Sequence, residues 1–196
     1  MKISAVIVAA GGSTRMQSGG ASKLMMTVGG EPVLRRTLRA FDAAACISEI
    51  VVVAREVDFD DVRRSAAGVQ TPLRITAGGR ERQDSVANGV SLCSEADFIA
   101  VHDGARPFVT PAMIERVCAD AARFGAAALA VPVKDTVKVA SAEEFVQATP
   151  DRAALRAVQT PQVFERLLYV RALARAAQDS KSYTDDCQLI EAAGGR

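Results

Sequence analysis

The sequence predicts an α/β fold in which a single doubly wound, mostly parallel sheet carries helices on both faces and a β-hairpin arm protrudes from it. Three observations support this prediction. Short, almost continuous apolar runs recur along the chain, as in strands that helices cover on both faces. Stretches with apolar residues at three- and four-residue spacing separate these runs, and such alternation is typical of doubly wound sheets. After Val133 the alternation gives way to two short strand-like segments.

The first two thirds of the chain supply the predicted sheet and its helices. The strands are predicted at ISAVIVAA (3–10), EIVVVA (49–54), DFIAVHD (97–103) and GAAALAVPV (125–133). The helices are predicted at PVLRRTLRAF (32–41), ERQDSVANGVSLC (81–93) and TPAMIERVCADAARF (110–124). The last of these should begin with Thr110 as its N-cap and Pro111 at its first helical position.

The remaining third predicts a different arrangement. KDTVKVAS (134–141) and EEFVQATP (143–150) indicate two short strands around a turn, which would project as an arm over roughly residues 134–157. TPQVFERLLYVRALARAA (160–177) then predicts an extended piece followed by a helix, and TDDCQLIEAAGG (184–195) a short helix capped by Thr184 and stopped by Gly194. Because no repeat, low-complexity segment or linker interrupts the pattern, we predict one domain over residues 1–196.

Composition excludes several classes of protein. Lys and Arg number 24 and Asp and Glu 23, so the net charge of +1 leaves no basic excess for a general nucleic-acid binder. No apolar run reaches membrane-spanning length, and the short apolar start is better explained as a first strand than as a signal peptide. Four scattered cysteines and a single histidine lack zinc-site spacing and indicate reduced thiols in a cytoplasmic protein.

The first apolar run continues into a glycine-rich loop, AAGGSTRMQSGGASKLM (9–25), that holds the cations Arg15 and Lys23. Glycines in such a loop let backbone N–H groups approach phosphate oxygens closely. The spacing fits neither a Walker A loop nor a dinucleotide fingerprint, which makes a dinucleotide-dependent oxidoreductase an unfavoured alternative. On composition alone, an ordinary polar loop with two solvated cations explains the segment equally well.

Seven segments in order carry a resemblance to a known family. Residues 5–26 resemble the AAGxGxRM…PK signature of sugar-nucleotidyltransferases. The others are GGRERQDSV (78–86), HDGARPF (102–108), VPVKDTVK (131–138), TPDR (149–152), QTPQVF (159–164) and YTDD (183–186). Together they resemble the 2-C-methyl-D-erythritol 4-phosphate cytidylyltransferase family over essentially the whole chain. The resemblance implies transfer of CMP from CTP to that alditol phosphate, with release of pyrophosphate, in non-mevalonate isoprenoid biosynthesis.

The resemblance also implies roles for residues near the nucleotide. Arg15 would face the triphosphate and Lys23 the α-phosphate, so both are predicted to be catalytic. The predicted nucleotide-binding residues are Ala9, Ala10, Gly11, Gly12, Gly79 and Ser85, of which Gly79 and Ser85 match positions that recognise cytosine and ribose. Without the resemblance, Ser85 would be a polar residue in the first turns of a helix.

The implied substrate-binding residues are Asp103, Arg106, Thr136, Arg152 and Thr184. Asp103 is the last residue of a predicted strand, at the edge where open α/β sheets bind ligands. It is therefore also the predicted ligand of Mg²⁺ or another divalent cation, although it could instead cap a helix or a turn. Thr136 and Arg152 flank the arm and would act in the site of a neighbouring subunit, which implies a homodimer. Thr184 could instead act as a simple N-cap, and His102 is expected to be structural rather than a general base.

Two departures from the family pattern leave alternatives open. ASK (21–23) stands where the family usually has PK. The family continues after the TDD helix into another strand and an N-x-K-x-T segment, whereas this sequence ends at Arg196, so either the sequence is truncated or the protein is expected to lack a phosphate-binding lysine and a late strand. The alternatives are a ribitol 5-phosphate type of alditol phosphate cytidylyltransferase and a catalytically disabled CTP-binding homologue.

Overall fold

A computed structural model describes residues 1–11, 23–179 and 183–195. Within these ranges the strands are β1 (Ile3–Val8), β2 (Thr27–Val28), β3 (Glu31–Pro32), β4 (Ile47–Ala54), β5 (Leu73–Ala77), β6 (Phe98–Asp103), β7 (Ala126–Pro132), β8 (Val139–Ala140), β9 (Val146–Ala148) and β10 (Arg156–Glu165). The α-helices are α1 (Val33–Asp42), α2 (Phe59–Ser65), α3 (Arg82–Ser91), α4 (Pro111–Phe124), α5 (Arg166–Gln178) and α6 (Asp186–Ala192). None of the helices in these ranges is long and apolar enough to cross a membrane.

Six of the strands form the central sheet, in the order β5-β4-β1-β6-β10-β7. The strands β5, β4, β1 and β6 are parallel, while β10 runs antiparallel to both β6 and β7. The mostly parallel, doubly wound sheet predicted from the sequence is therefore confirmed. The chain leaves β1 toward β4 and β5 and then returns to place β6 on the other side of β1. This reversal creates a crevice at the carboxyl ends of β1 and β6, where open α/β sheets bind their ligands.

Helices cover both faces of the sheet, which explains why its strands are continuous apolar runs. On one face, α1 and α4 bury side chains against β1 and β4, and on the other face α3, α5 and α6 do the same. A glycine in α3 permits especially close packing. A Cβ at Gly89 would lie 2.6 Å from Val6 Cγ1 and 2.7 Å from Val53 Cγ2, so a larger residue there would push α3 away from the sheet.

The four strands and three helices predicted for the first two thirds of the chain are present, and β2, β3, β5 and α2 are additions that the sequence pattern did not reveal. β5 is an edge strand whose residues are only half buried or exposed, so it lacks the continuous apolar run that marks β1 and β4. α2 is seven residues long, which is too short to establish a clear helical periodicity.

The helix ends confirm one capping prediction and correct another. At α4, the Thr110 hydroxyl accepts a hydrogen bond from the Met113 N–H at 3.3 Å, and Pro111 is the first helical residue, as predicted. At α6, the N-cap is Asp185 rather than Thr184, because the Asp185 carboxylate accepts from the Gln188 N–H at 3.0 Å. The helix ends at Ala192, and the predicted stop residue Gly194 follows two residues later with a φ of +85° that favours glycine.

The segment between β7 and β10 contains the two predicted short strands. β8 and β9 pair antiparallel across a turn, in which Glu144 takes a positive φ of 65°. The apolar side chains of this segment are solvent-exposed in the single chain, with Phe145 75% and Val146 61% exposed. A hairpin that exposes its apolar side chains contributes little to the core of its own chain. Its predicted role in dimerisation stays a prediction.

Candidate active site

The carboxyl ends of the four parallel strands meet at one edge of the sheet. Val8 of β1 pairs with Val53 of β4 and with Asp103 of β6, and Ala77 ends the neighbouring strand β5. The segments that follow these strand ends are therefore neighbours in space although they are distant in sequence. They include most of the predicted nucleotide-binding residues that the structure describes.

One corner of this edge brings together the loops after β1 and β5. A Cβ at Gly78 would lie 2.3 Å from Ala10 Cβ and 3.0 Å from Ser85 Oγ, so only glycine fits between these side chains. The Gly79 N–H donates to Ser85 Oγ at 3.0 Å, and the hydroxyl in turn donates to the Glu81 carbonyl at 3.0 Å. Ser85 is thus buried, and its hydroxyl links the glycine loop to the start of α3.

Two predicted residues on the β1 side of this corner differ in exposure. Ala9 is buried, and its N–H donates to the Val53 carbonyl at 2.7 Å, which ties the loop to the sheet. Gly11 is exposed, and no atom of the residues that the structure describes lies within 4 Å of the position that a Cβ would occupy. The predictions for Gly12 and Arg15 fall outside the described residues.

Gly78 is a site residue that the sequence interpretation missed, although the quoted motif GGRERQDSV contains it. The available signal was the glycine pair directly after a strand, since two adjacent glycines at a strand end indicate a close backbone approach. Because β5 was not predicted, the glycine pair could not be recognised as lying at the end of a strand.

Lys23 begins a short 3₁₀ turn, Lys23–Met25, that is anchored at the same sheet edge. The anchor is the buried Leu24, whose Cδ2 lies 3.3 Å from the position of a Cβ on Gly104. Gly104 follows Asp103, and its N–H donates to the Val8 carbonyl at 2.9 Å, joining the ends of β1 and β6. The backbone of Lys23 is therefore held beside the crevice in which Asp103 lies.

Asp103 occupies the end of β6 between two arginines. Its Oδ2 accepts from Arg106 Nε at 3.0 Å, and its Oδ1 lies 3.5 Å from Arg82 Nη2. The Asp103 N–H donates to Thr160 Oγ1 at 3.1 Å, which fixes the backbone from which the carboxylate projects. The structure thus brings the predicted residues Asp103 and Arg106 together, and one third of the Asp103 side chain remains exposed to the crevice.

A second carboxylate, Asp186, completes this cluster from the opposite side of Arg82. Arg82 Nη1 donates to Asp186 Oδ2 at 2.7 Å, and the Tyr169 hydroxyl donates to Asp186 Oδ1. Burial of Arg82 disfavours its charged form, but the charges of Asp186 and Asp103 outweigh this effect and raise its pKa above the usual value. Sequence reasoning did not single out Arg82 or Asp186, because only the fold brings α3, β6 and α6 together.

His102 lies beneath the site and does not face it. The ring is fully buried, with Nδ1 3.0 Å from Thr160 Oγ1 and Nε2 3.3 Å from the Arg106 carbonyl. Burial lowers its pKa to about 4, so the imidazole is neutral at pH 7. These contacts support the predicted structural role of His102, since it joins the turn after β6 to β10.

The side chains of the remaining predicted substrate residues form their hydrogen bonds with groups outside this cluster. Thr136 and Arg152 are exposed on the segment between β7 and β10, where Arg152 Nη1 donates to the Lys134 carbonyl at 2.6 Å. Thr184 is exposed just before α6, and its hydroxyl accepts from Gln188 Nε2 at 2.8 Å. Thr184 is therefore linked to the cluster through the helix that begins at Asp186.

Among the described residues, no group of three or more His, Cys, Asp or Glu side chains could hold a metal ion. A divalent cation at this edge would have Asp103 as its protein carboxylate and would need oxygen ligands from a substrate. This requirement matches Mg²⁺, which usually keeps several waters and binds one or two carboxylates together with substrate phosphates.

Comparisons with known proteins identify the family of the chain. A family model described as IspD, 2-C-methyl-D-erythritol 4-phosphate cytidylyltransferase, matches residues 3–196. The protein of that name from Caldanaerobacter subterraneus subsp. tengcongensis is 43% identical over 198 residues, covering 99% of this chain and 87% of the relative. The Bacillus velezensis protein of the same name is 41% identical over 197 residues, covering 100% of this chain and 84% of the relative.

Solved structures give the same result for the fold. The 4-diphosphocytidyl-2C-methyl-D-erythritol synthase of Anaerococcus prevotii superposes with a TM-score of 0.87 at 30% identity, covering 96% of this chain and 81% of that chain. The 2-C-methyl-D-erythritol 4-phosphate cytidylyltransferase of Thermus thermophilus superposes with a TM-score of 0.77 at 33% identity, covering 100% of this chain and 86% of that chain.

Proposed function

This chain belongs to the 2-C-methyl-D-erythritol 4-phosphate cytidylyltransferase family, and on that premise we propose how its residues carry out the reaction. The chain transfers CMP from CTP to 2-C-methyl-D-erythritol 4-phosphate (methylerythritol phosphate below) and releases pyrophosphate, in isoprenoid biosynthesis. The single observation that carries the site assignment is the meeting of the Ala10, Gly78 and Asp103 segments at one sheet edge.

In the proposed site, the corner formed by the loops after β1 and β5 holds the cytidine. Ala9, Ala10 and Gly11 lie along one side, and Gly79 and Ser85 on the other. Support comes from the tight contact between Ala10 and the Gly78 backbone, which leaves a narrow corner with exposed glycine backbone at its rim. Backbone N–H and C=O groups at such a rim suit the hydrogen-bonding edge of a pyrimidine.

The chemical step joins two anions, so it depends on charge stabilisation. A phosphate oxygen of methylerythritol phosphate attacks the α-phosphorus of CTP, a new P–O bond forms, and the bond to the bridging oxygen breaks with its electron pair leaving on pyrophosphate. Negative charge builds on the α-phosphoryl oxygens during this displacement. We assign its stabilisation to Lys23 and Arg15, because Lys23 is anchored at the crevice by Leu24.

Asp103 and Arg106 are proposed to receive the methylerythritol phosphate, with Thr184 nearby. Arg106 supplies a guanidinium suited to a phosphate group, and its pairing with Asp103 fixes its direction before substrate binds. Asp103 is the residue that would hold Mg²⁺, which when bound would supply positive charge to offset that of the triphosphate. The partial exposure of Asp103 supports this assignment, since a metal can reach the carboxylate from the crevice.

We also propose a homodimer in which the segment between β7 and β10 acts as a dimerisation arm, with Thr136 and Arg152 contributing to the partner's site. The support is the exposure of Phe145 and Val146 at its turn, since exposed apolar side chains at one tip suit a protein interface. Light scattering tests the proposal. Phe145→Asp should shift the wild-type dimer toward monomer, whereas a wild-type chain that is monomeric at micromolar concentration would contradict it.

A cytoplasmic location is proposed on separate grounds. Cys46, Cys93, Cys118 and Cys187 are all free thiols, and reduced cysteines are typical of the cytoplasm. Fractionation of cells that produce the protein would check this location, and recovery from an oxidising compartment would contradict it.

The substrate assignment is tested by pyrophosphate release with CTP and Mg²⁺. Methylerythritol phosphate should be turned over at least about tenfold faster than ribitol 5-phosphate, because the site would hydrogen-bond the hydroxyls of its own alditol. Faster turnover of ribitol 5-phosphate would identify the alternative alditol phosphate. Tight CTP binding with neither acceptor turned over would identify a disabled homologue.

A further inference from the structure

Arg82 is the only described residue that contacts the carboxylates of both Asp103 and Asp186 by an ion pair. It is the first residue of α3, while Asp103 ends β6 and Asp186 begins α6. The guanidinium therefore joins three elements that are distant in sequence. All three carry or adjoin proposed site residues, since Asp103 is itself one, Ser85 lies one turn further along α3 and Thr184 lies two residues before Asp186.

The Asp186 end of this bridge is rigidly held. The Asp186 side chain is 1% exposed, and its two oxygens accept from Arg82 and from the Tyr169 hydroxyl. Its N–H donates to Gln162 Oε1 at 3.0 Å, which ties the first turn of α6 to β10. Because a buried carboxylate needs its partners, Arg82 has little freedom to leave this position.

The Asp103 end of the bridge is looser. Arg82 Nη2 lies 3.5 Å from Asp103 Oδ1, and both side chains are one-third exposed. Arg82 thus presents one nitrogen to the fixed Asp186 and another to the site carboxylate. Because the guanidinium is planar, the Asp186 contact sets the direction from which the second nitrogen meets Asp103.

From this arrangement we infer that Arg82, with Asp186, is a positioning pair that sets the orientation of Asp103 and of the Thr184 turn for the acceptor substrate. The inference rests on the proposed function of that site. Arg82 acts through Asp103 and α6, so its loss should change how methylerythritol phosphate binds more than how CTP binds. A purely structural ion pair would instead affect stability and would leave the ratio of the two KM values unchanged.

The first test uses Arg82→Lys, because lysine retains the charge for Asp186 but is a single point that cannot serve both carboxylates. We expect this variant to fold, with the KM for methylerythritol phosphate raised about tenfold and the KM for CTP within about twofold of wild type. Arg74→Gln is the matched control. It breaks the ion pair between Arg74 and Glu49, and it should leave both KM values unchanged.

The second test separates positioning from stability. Arg82→Gln leaves Asp186 buried without its cation and should lower the melting temperature, whereas the double variant Arg82→Gln/Asp186→Asn removes both charges and should recover most of that loss. If Arg82 is a positioning residue, the raised KM for methylerythritol phosphate persists in the recovered double variant. If it is only structural, activity returns with stability.

The outcomes also distinguish this inference from the proposed function. Wild-type protein that releases no pyrophosphate from CTP and methylerythritol phosphate would overturn the function itself. Active wild type together with a wild-type KM for methylerythritol phosphate in Arg82→Lys or in the folded double variant would overturn only the role of Arg82.

Discussion

The crevice edge of the sheet and the segment between β7 and β10 both carry proposed substrate residues, but they are stabilised in different ways. At the crevice edge, residues such as Ala9 and Leu24 are buried, and backbone hydrogen bonds join one strand end to the next. In the segment that contains β8 and β9, Phe145 and Val146 are exposed, and the Arg152 side chain donates to the Lys134 carbonyl of the same segment. The first region is therefore organised by its own chain, whereas the second needs another surface to bury its apolar side chains.

This difference predicts which substitutions impair the active site of their own chain and which impair the active site of a partner chain. A substitution at the crevice edge should disable the chain that carries it. A substitution at Arg152 should disable the neighbouring chain. The four predictions below test this contrast in order of decreasing expected effect.

The largest effect is expected for Lys23→Ala. Removing a cation from the site of charge development should lower kcat by about 10²–10³, as the removal of an oxyanion donor does in other enzymes. The fold should be retained, because Leu24 supplies the buried anchor of this turn. Steady-state pyrophosphate release measures the effect, and Lys2→Ala at the opposite end of β1 is the matched control. A loss of less than about threefold in kcat would exclude Lys23 from the transition state.

The second prediction concerns the buried floor of the crevice. His102 has a pKa of about 4 in the folded protein because burial disfavours its charged form, whereas the unfolded chain has the ordinary value of 6.5. The unfolded state therefore binds a proton first as pH falls. The free energy of unfolding therefore has its full value above pH 6.5 and falls by about 3 kcal/mol in all as the pH is lowered toward 4.

Urea unfolding between pH 7 and pH 5 measures this decline. His102→Gln should flatten the dependence in that window, because glutamine does not titrate. The Arg106 carbonyl and Thr160 hydroxyl would still find a polar neighbour in glutamine. An equal slope in wild type and variant would show that other groups cause the loss of stability.

The third prediction concerns Gly78→Ala. The new methyl group would lie 2.3 Å from Ala10 Cβ, so the loops after β1 and β5 must separate. We expect CTP affinity to fall about tenfold by calorimetry and the free energy of unfolding to fall by about 1–3 kcal/mol. Gly11→Ala is the control for stability, since among the described residues no atom lies within 4 Å of its new methyl group. Unchanged CTP binding in Gly78→Ala would place the nucleotide elsewhere.

The sequence predicts the buried region much better than the contacts within its site. β1, β4 and β6 are continuous apolar runs because both their faces are covered, so their positions and the strand-end location of Asp103 follow from the pattern. The Arg82 bridge could not be predicted in this way, because its partners come from residues 103 and 186 and only tertiary packing joins them. The same limit applies to the N-cap of α6, which was predicted at Thr184 but lies at Asp185, because only the geometry shows which side chain accepts from the Gln188 N–H.

For the arm, the sequence predicts the local structure but not the contacts on which its proposed function rests. Its two short strands are predictable from residues 134–150, but the function proposed for it would depend on contacts with a second molecule, which one sequence does not contain. The family resemblance supplied the expectation that Thr136 and Arg152 act in trans. Nothing in the hydrogen bonding of Arg152 within one chain requires or opposes that expectation.

The last prediction therefore mixes two inactive variants. If Arg152 acts in the partner's site, Arg152→Ala and Lys23→Ala should each be nearly inactive alone. In a heterodimer of the two, one site contains both defects and the other contains Lys23 from one chain and Arg152 from its partner. Random re-association yields half heterodimers, so about a quarter of wild-type activity should return when the variants are unfolded together and refolded as a mixture.

Two controls are needed to interpret the recovered activity. Wild type carried through the same refolding fixes the reference activity, and Lys23→Ala mixed with the double variant Lys23→Ala/Arg152→Ala should stay inactive. If Arg152 acts within its own chain, one site of each heterodimer carries the Lys23 defect and the other the Arg152 defect, and no activity returns. Recovery near a quarter would thus show that the crevice edge of one chain and the arm of another make a single active site.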